Sequence, residues 1–236
     1  MSNTYFRFKQ FTVRQDLCAM KVGTDGVLLG AWADVNEAEN ILDIGTGSGV
    51  IALILAQRSK ACIEAIDLDE NACRQAKINF EHSPFRERLS IKKIDFLALS
   101  APLKYDLLVS NPPYFSRSLR PDDIGRRFAR HDDSLPLRDL IEKSASLLKP
   151  NGKLALILPF DSAETANSFA AENALSLCRR TNVATSPKYP PKRVMLEYSP
   201  KQSEVQENNL CITSEDHSFS KTYIALTKDF YLALEE

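Results

Sequence analysis

The run Asn40-Ile41-Leu42-Asp43-Ile44 passes directly into Gly45-Thr46-Gly47-Ser48-Gly49 and then into an apolar, helix-length stretch from Val50 to Arg58. A buried strand that turns on glycines into a helix is one half of a βαβ unit, and the missing Cβ atoms let the backbone of the turn approach a ligand closely. The spacing is G-x-G-x-G. A dinucleotide pyrophosphate site asks for G-x-G-x-x-G, whose third glycine would fall at Val50. An adenosine-type ligand without a pyrophosphate fits better.

The same alternation continues along the chain. Cys62 to Ile66 reads as a second strand ending in Asp67, at about the 20-residue distance from the glycines where a carboxylate accepts both ribose hydroxyls. A helix from Glu70 to Phe80 follows, and a third strand, Leu89 to Ile94, ends in Asp95-Phe96. Ligands of open α/β sheets bind beyond the carboxyl ends of the strands, so Asp95 is placed either to accept from an adenine amino group or to cap a turn. The fourth strand, Tyr105 to Ser110, delivers Asn111-Pro112-Pro113-Tyr114. A helix from Leu135 to Lys149, ended by Pro150-Asn151-Gly152, leads to a fifth strand at Lys153 to Leu158, and another helix spans Pro159 to Asn173. Leu175 to Ala184 and Val194 to Tyr198 read as strands six and seven. Lys201 to Asn209 reads as a polar hairpin tip, with Leu210 to Thr213 as its returning strand. Tyr223, Leu226 and Phe230 stand at helical spacing. Ahead of the glycine turn, Phe8 to Val13 alternates like a short strand. A helix from Val27 to Trp32 follows, whose start either is capped by Thr24 or holds a carboxylate. These elements predict an α/β, doubly wound, mostly parallel seven-stranded sheet with antiparallel strands at its C-terminal edge. One domain over residues 1–236 is expected, with 1–39 as a strand and helix extension packing on the cofactor site.

Asn111-Pro112-Pro113-Tyr114 is the stretch with chemistry in it. Two prolines fix φ and remove two N–H donors, so the loop is stiff and presents carbonyls without competing donors. An Asn carboxamide oxygen with a backbone carbonyl can hold an exocyclic NH₂ group, and the Tyr114 ring offers a face for a planar base. A plain Asx-Pro turn is the alternative for the tetrapeptide taken alone.

Composition narrows the partners. No apolar run approaches the ~20 residues that span a bilayer, and the N-terminus lacks the apolar core of a secretory signal. Five scattered cysteines without C-x-x-C spacing argue for reduced thiols, a cytoplasmic protein and no metal site. With a net charge of −1, a nucleic acid would have to be met by local basic surfaces. Candidates are Arg117, Arg120, Arg126, Arg127 and Arg130 in a long loop from Phe115 to Asp133, the stiff turn bearing Lys188, Lys192 and Arg193, and Arg7 with Lys9. His131 in that loop reads as structural.

The glycine turn, Asp67, Asp95 and Asn111-Pro112-Pro113-Tyr114, in that order, resemble the class I S-adenosylmethionine-dependent methyltransferases that act on amino groups. The likeness extends to Phe8–Val13, Met20–Trp32, Pro190-Pro191-Lys192-Arg193-Val194 and Leu226–Leu232, which are similar to the bacterial family that methylates N6 of adenine 37, just 3′ of the anticodon in a valine tRNA. The resemblance implies S-adenosylmethionine as cofactor, a valine tRNA as partner, and a monomer. It implies catalytic roles for Asn111, Pro112, Pro113 and Tyr114, and cofactor contacts from Lys21, Thr24, Asp25, Asp43, Gly45, Gly47, Gly49, Asp67, Leu68, Asp95, Phe96 and Asn111. RNA contacts fall to Arg7, Lys9, Arg117, Arg126, Arg130, Lys188, Lys192 and Arg193. The segments Pro121–Ser134 and Lys201–Asn209 depart from the family pattern. Protein glutamine N5-methylation, guanine-N2 RNA methylation and a non-catalytic RNA-binding module stay open as alternatives. The glutamine enzymes usually carry a helical domain before the glycine turn, and only about forty residues precede it here.

Overall fold

The computed structural model describes residues 3–18, 20–100, 105–113 and 135–233. The chain begins with an antiparallel ribbon, Tyr5–Arg7 (β1) and Thr12–Arg14 (β2), followed by the helix Thr24–Trp32 (α1). Then the alternation sets in: Asn40–Ile44 (β3), Val50–Arg58 (α2), Cys62–Asp67 (β4), Glu70–Glu81 (α3), Leu89–Lys93 (β5) and Tyr105–Ser110 (β6). Leu137–Leu147 (α4), Leu148–Pro159 (β7), Ala163–Glu172 (α5) and Ser176–Ala184 (β8) follow. Arg193–Ser199 (β9), Gln206–Cys211 (β10) and Lys221–Thr227 (α6) complete the fold.

One sheet carries strands β3 to β10 in the order β10-β8-β9-β7-β6-β3-β4-β5. The five strands from β7 to β5 in that order run parallel, and β9 lies antiparallel between β7 and β8. Central strands are buried on both faces, which is why they read as continuous apolar runs. Their side chains alternate between two cores. Ile41, Leu107 and Val109 join the cluster under α1 and α2 with Leu29, Ile54 and Phe8, while Leu42, Ile44 and Leu108 join Leu140, Ile141 and Ala166 of α4 and α5 on the other face.

The sheet has eight strands where seven were expected. The extra one is β10, which pairs in parallel with β8 and does not return as a hairpin partner of β9. The reason is topological: β9 already has β7 on one side and β8 on the other, so the chain after it cannot pair with β9 and extends the sheet at the nearer free edge, that of β8. The expected hairpin tip 201–209 accordingly contributes four residues to β10 itself. Two smaller expectations also change. Thr24 is the first helical residue and not the cap, a position taken by Gly23 without any side-chain bond. The turn Pro150-Asn151-Gly152 does not break the chain before strand five but is an irregularity inside β7, where a Cβ on Gly152 would meet the Tyr105 carbonyl oxygen at 2.8 Å.

A buried charge network fastens the antiparallel edge. Glu197 of β9 is 1% exposed and is met by Arg179 of β8, whose Nε donates at 3.0 Å, and by Lys153 of β7 at 3.3 Å. Arg179 also lies 3.8 Å over the Trp32 ring, and Lys153 reaches Asp34, so the network ties the end of α1 to three strands. No helix of the described residues is long and apolar enough to cross a membrane.

Candidate active site

Parallel register brings the carboxyl ends of the central strands to one edge. Ile44 stands opposite Ile66 of β4 and Ser110 of β6, and Ile66 stands opposite Lys92 of β5. The residues that leave those ends, Gly45, Asp67, Asp95 and Asn111, therefore share a single cleft of about 260 Å³, lined also by Gly47, Leu68, Phe96, Pro112 and Pro113. Ser110 fixes the position of the Asn-Pro-Pro loop, because its hydroxyl donates to the Ile44 carbonyl at 2.9 Å and so ties the exit of β6 to the start of the glycine turn.

The turn itself is held from both sides. Gly45 N and Thr46 N donate to the Ile66 carbonyl, at 2.9 and 3.1 Å. Gly45, Gly47 and Gly49 have φ of +70°, +55° and +83°, a region that side chains make costly. A Cβ at Gly45 or Gly47 would have no heavy atom within 4 Å, so both face the open cleft, whereas at Gly49 it would strike the Phe80 ring at 2.6 Å. Two of these glycines admit a ligand and the third admits helix α3.

The acids are oriented by backbone amides. Asp67 accepts from Gly47 N and from Asp69 N, both at 2.9 Å, one on each carboxylate oxygen. Asp95 accepts from Leu97 N at 2.9 Å as the cap of a short 3-10 turn, with its other oxygen left as a second acceptor at the cleft. Asp43, fully buried, accepts through Oδ2 from the Thr46 hydroxyl at 2.6 Å and from Ala52 N at 3.2 Å. Its Oδ1 is buried with no partner, and burial pushes the carboxyl up to about 7, with the Asp67 charge adding to the rise. Two glycines that open on empty space, beside the oriented carboxylates of Asp67 and Asp95, leave room and acceptors for a polar ligand seated on the turn. The residues fit a nucleoside-type cofactor such as S-adenosylmethionine.

One wall was not visible in the sequence. Two buried amides one helical turn apart on α3, Gln75 and Asn79, grip the N-terminal segment: Gln75 accepts from Leu17 N at 2.8 Å, and Asn79 exchanges bonds of 2.8 and 2.9 Å with Arg14. Asn79 also donates to the Ser48 carbonyl of the glycine turn at 2.8 Å. The segment after β2 is thereby carried to the cleft, where Cys18 and Met20 line it. The helical i, i+4 spacing of the two amides was the available signal.

Of the other predicted cofactor contacts, Lys21 precedes α1 and Thr24 and Asp25 open it, and these three, like Asp43 and Gly49, are not among the residues lining the cleft. Asp25 instead pairs with Arg193 at 2.8 Å, which makes Arg193 an anchor for the basic turn. Lys188 and Lys192 of that turn are exposed, as are Arg7 and Lys9 on the N-terminal ribbon. Tyr114, Arg117, Arg126 and Arg130, with Arg120, Arg127 and His131, lie outside the described residues.

Residues 20–166 match the family described as Methyltransferase small domain. Over 237 aligned residues the chain is 47% identical to the tRNA1(Val) (adenine(37)-N6)-methyltransferase of Parabacteroides distasonis, covering 99% of this chain and 100% of that protein. The chain belongs to this methyltransferase family. Its spread is wide, since the enzyme of the same name from Trichodesmium erythraeum is 45% identical across 98% of this chain and 99% of its own length. Among solved structures, one described as a predicted O-methyltransferase from Agrobacterium tumefaciens superposes with a TM-score of 0.67 over 87% of this chain and 96% of that one, at 18% identity. That likeness concerns the fold.

Proposed function

We propose that this protein transfers a methyl group from S-adenosylmethionine to the N6 amino group of adenine 37 in a valine tRNA, working as a monomer in the cytoplasm. The observation that supports this reading most directly is the shared cleft: Asn111, Pro112 and Pro113 line the same space as the glycine turn, Asp67 and Asp95. Full-length similarity to relatives bearing that name supports the substrate.

S-adenosylmethionine, when bound, supplies an electrophilic methyl on a sulfonium that is already an activated leaving group. Asp67 would hold the ribose hydroxyls on the acceptor positions left by its two amide bonds, and Gly45 and Gly47 would give the ligand close access to the backbone. Asp95, with Phe96 and Leu68 lining the same cleft, would hold the adenine end. The Asn111 side-chain oxygen and the Pro112 carbonyl accept the two N6–H bonds of the target base. The N6 lone pair is delocalised into the ring, and these acceptors favour the pyramidal nitrogen on which positive charge develops. No strong base is needed, since the nitrogen becomes acidic once it carries the methyl group and releases its proton to solvent, so alignment and electrostatics supply most of the rate. Tyr114 offers a face to the base as it leaves its stack.

The test is to incubate the protein with S-adenosylmethionine and an unmodified valine tRNA transcript, digest the product and look for N6-methyladenosine by mass spectrometry. Methylation that disappears when adenine 37 is replaced by guanine is the expected result. Transfer to guanine N2, or to a protein glutamine with none to tRNA, would overturn the reading.

A further inference from the structure

The turn between β8 and β9 contains a large aromatic that folding does not explain. Tyr189 is 60% exposed, more than Tyr5 at 46%, and has no ring partner among the described residues, whereas the tyrosines at 105, 198 and 223 are each at most 5% exposed. The turn is nevertheless rigid. Tyr189 N donates to the Ser186 carbonyl at 3.1 Å, Lys192 N to the Val183 carbonyl at 2.9 Å, and Phe160 N to the Lys192 carbonyl at 3.1 Å. Pro187, Pro190 and Pro191 fix φ through the segment, and the Arg193 to Asp25 ion pair pins its base to α1. An exposed ring on a stiff support has little ordering entropy left to lose on binding.

Its place in the fold points to the occupant. Ser110 stands opposite Leu156, Pro159 opposite Arg193, and Arg193 opposite Val183. The turn therefore rises from the sheet edge that carries Asn111, two to three strands away, or about 10–15 Å at ~4.8 Å per strand. Lys188 and Lys192 flank the ring, are exposed, and make no ion pair among the described residues, whereas Arg193 is neutralised by Asp25. An aromatic face between two unneutralised lysines, beside a site for an extruded base, is the equipment that binds single-stranded nucleic acid.

We propose that Tyr189 is a stacking platform for an unpaired RNA base close to the methylated adenine, with Lys188 and Lys192 contacting the phosphates on either side of that base. The inference rests on the tRNA-methyltransferase reading above and adds a second point of grip on the same loop. A base seated on Tyr189 fixes the register of the single strand, so that the adenine a fixed number of nucleotides away is the one presented to Asn111.

The experiment measures kcat and KM for an unmodified valine tRNA transcript with the full chain, Tyr189→Ala, Tyr189→Phe and the double variant Lys188→Ala/Lys192→Ala, over a series of salt concentrations. Thermal unfolding and S-adenosylmethionine binding are measured on each protein as checks on the fold. Tyr189→Ala should raise KM roughly five- to 150-fold with kcat at saturation unchanged, and Tyr189→Phe, which keeps the face, should stay within about twofold of the parent. The salt slope should be unaltered in Tyr189→Ala and flatter by about 1.4–1.8 in the double lysine variant. An unchanged KM in Tyr189→Ala, or an equal rise in Tyr189→Phe, overturns the stacking role. If the parent protein itself transfers no methyl group to tRNA, the functional reading fails and this inference goes with it, an outcome distinct from an active parent with an indifferent Tyr189.

Discussion

Replacing Gly49 by alanine separates the folding role of the glycine turn from its binding role. The new Cβ would lie 2.6 Å from Cε1 and 3.1 Å from Cζ of Phe80, and 3.4 Å from the Cβ of Ala76, with φ at +83°. A left-handed backbone costs alanine ~1–2 kcal/mol, and overpacking a filled site costs ~1–3 kcal/mol more, so a loss of about 2–5 kcal/mol is expected. Gly47→Ala carries the backbone cost alone, ~1–2 kcal/mol, because its methyl would meet nothing within 4 Å. Urea unfolding of both variants, of Phe80→Leu and of Gly49→Ala/Phe80→Leu tests the assignment. Shortening the ring removes the atoms that the methyl strikes, so the double variant should be more stable than additivity predicts by ~0.5–3 kcal/mol. Calorimetry of S-adenosylmethionine binding should reverse the ranking, since the Gly47 methyl points into the cleft and the Gly49 methyl into α3. A Gly49→Ala protein as stable as Gly47→Ala, or additive behaviour with Phe80→Leu, would refute the account.

Asn111→Ala should abolish turnover while leaving S-adenosylmethionine affinity nearly unchanged, as its bonds matter most in the transition state; a rate within threefold of the parent would remove it from the clamp. Asp67→Ala should weaken cofactor binding by ~2–4 kcal/mol, at ~1–2 kcal/mol for each of two hydroxyl bonds, and should also loosen the turn by releasing Gly47 N. Unchanged calorimetric affinity would contradict this. With the Asp43 carboxyl at about 7 when folded against 3.8 ordinarily, the native state keeps a proton that the unfolded state has released. The cofactor-free protein should therefore lose stability as pH rises from about 4 to about 7, at up to ~1.4 kcal/mol per pH unit, and level off above. Asp43→Asn should lack that component, and matching urea midpoints for both proteins across the window would refute it.

The part of this protein legible in its sequence is the part built from local repetition. Strands β3, β4 and β6 announced themselves because central parallel strands are largely apolar on both faces, and the glycine turn did so because φ values of +55° to +83° leave few other residues admissible. Asp67, Asp95 and Asn111 could be found because each stands at or within two residues of the carboxyl end of a strand, and parallel register then gathers strand ends without further instruction. What the sequence hid are relations between distant segments. That β10 adds in parallel at the edge of β8 depends on both sides of β9 being taken. Asn79 and Gln75 look like ordinary polar helix residues, and their role exists only where α3 meets the N-terminal segment 65 and 58 positions away. Arg193 reads as an RNA contact until Asp25, 168 residues earlier, is seen to neutralise it. A charge or an amide carries no mark of its partner; hydrogen bonds and ion pairs act only over a few ångströms, and only the tertiary structure decides which groups come that close.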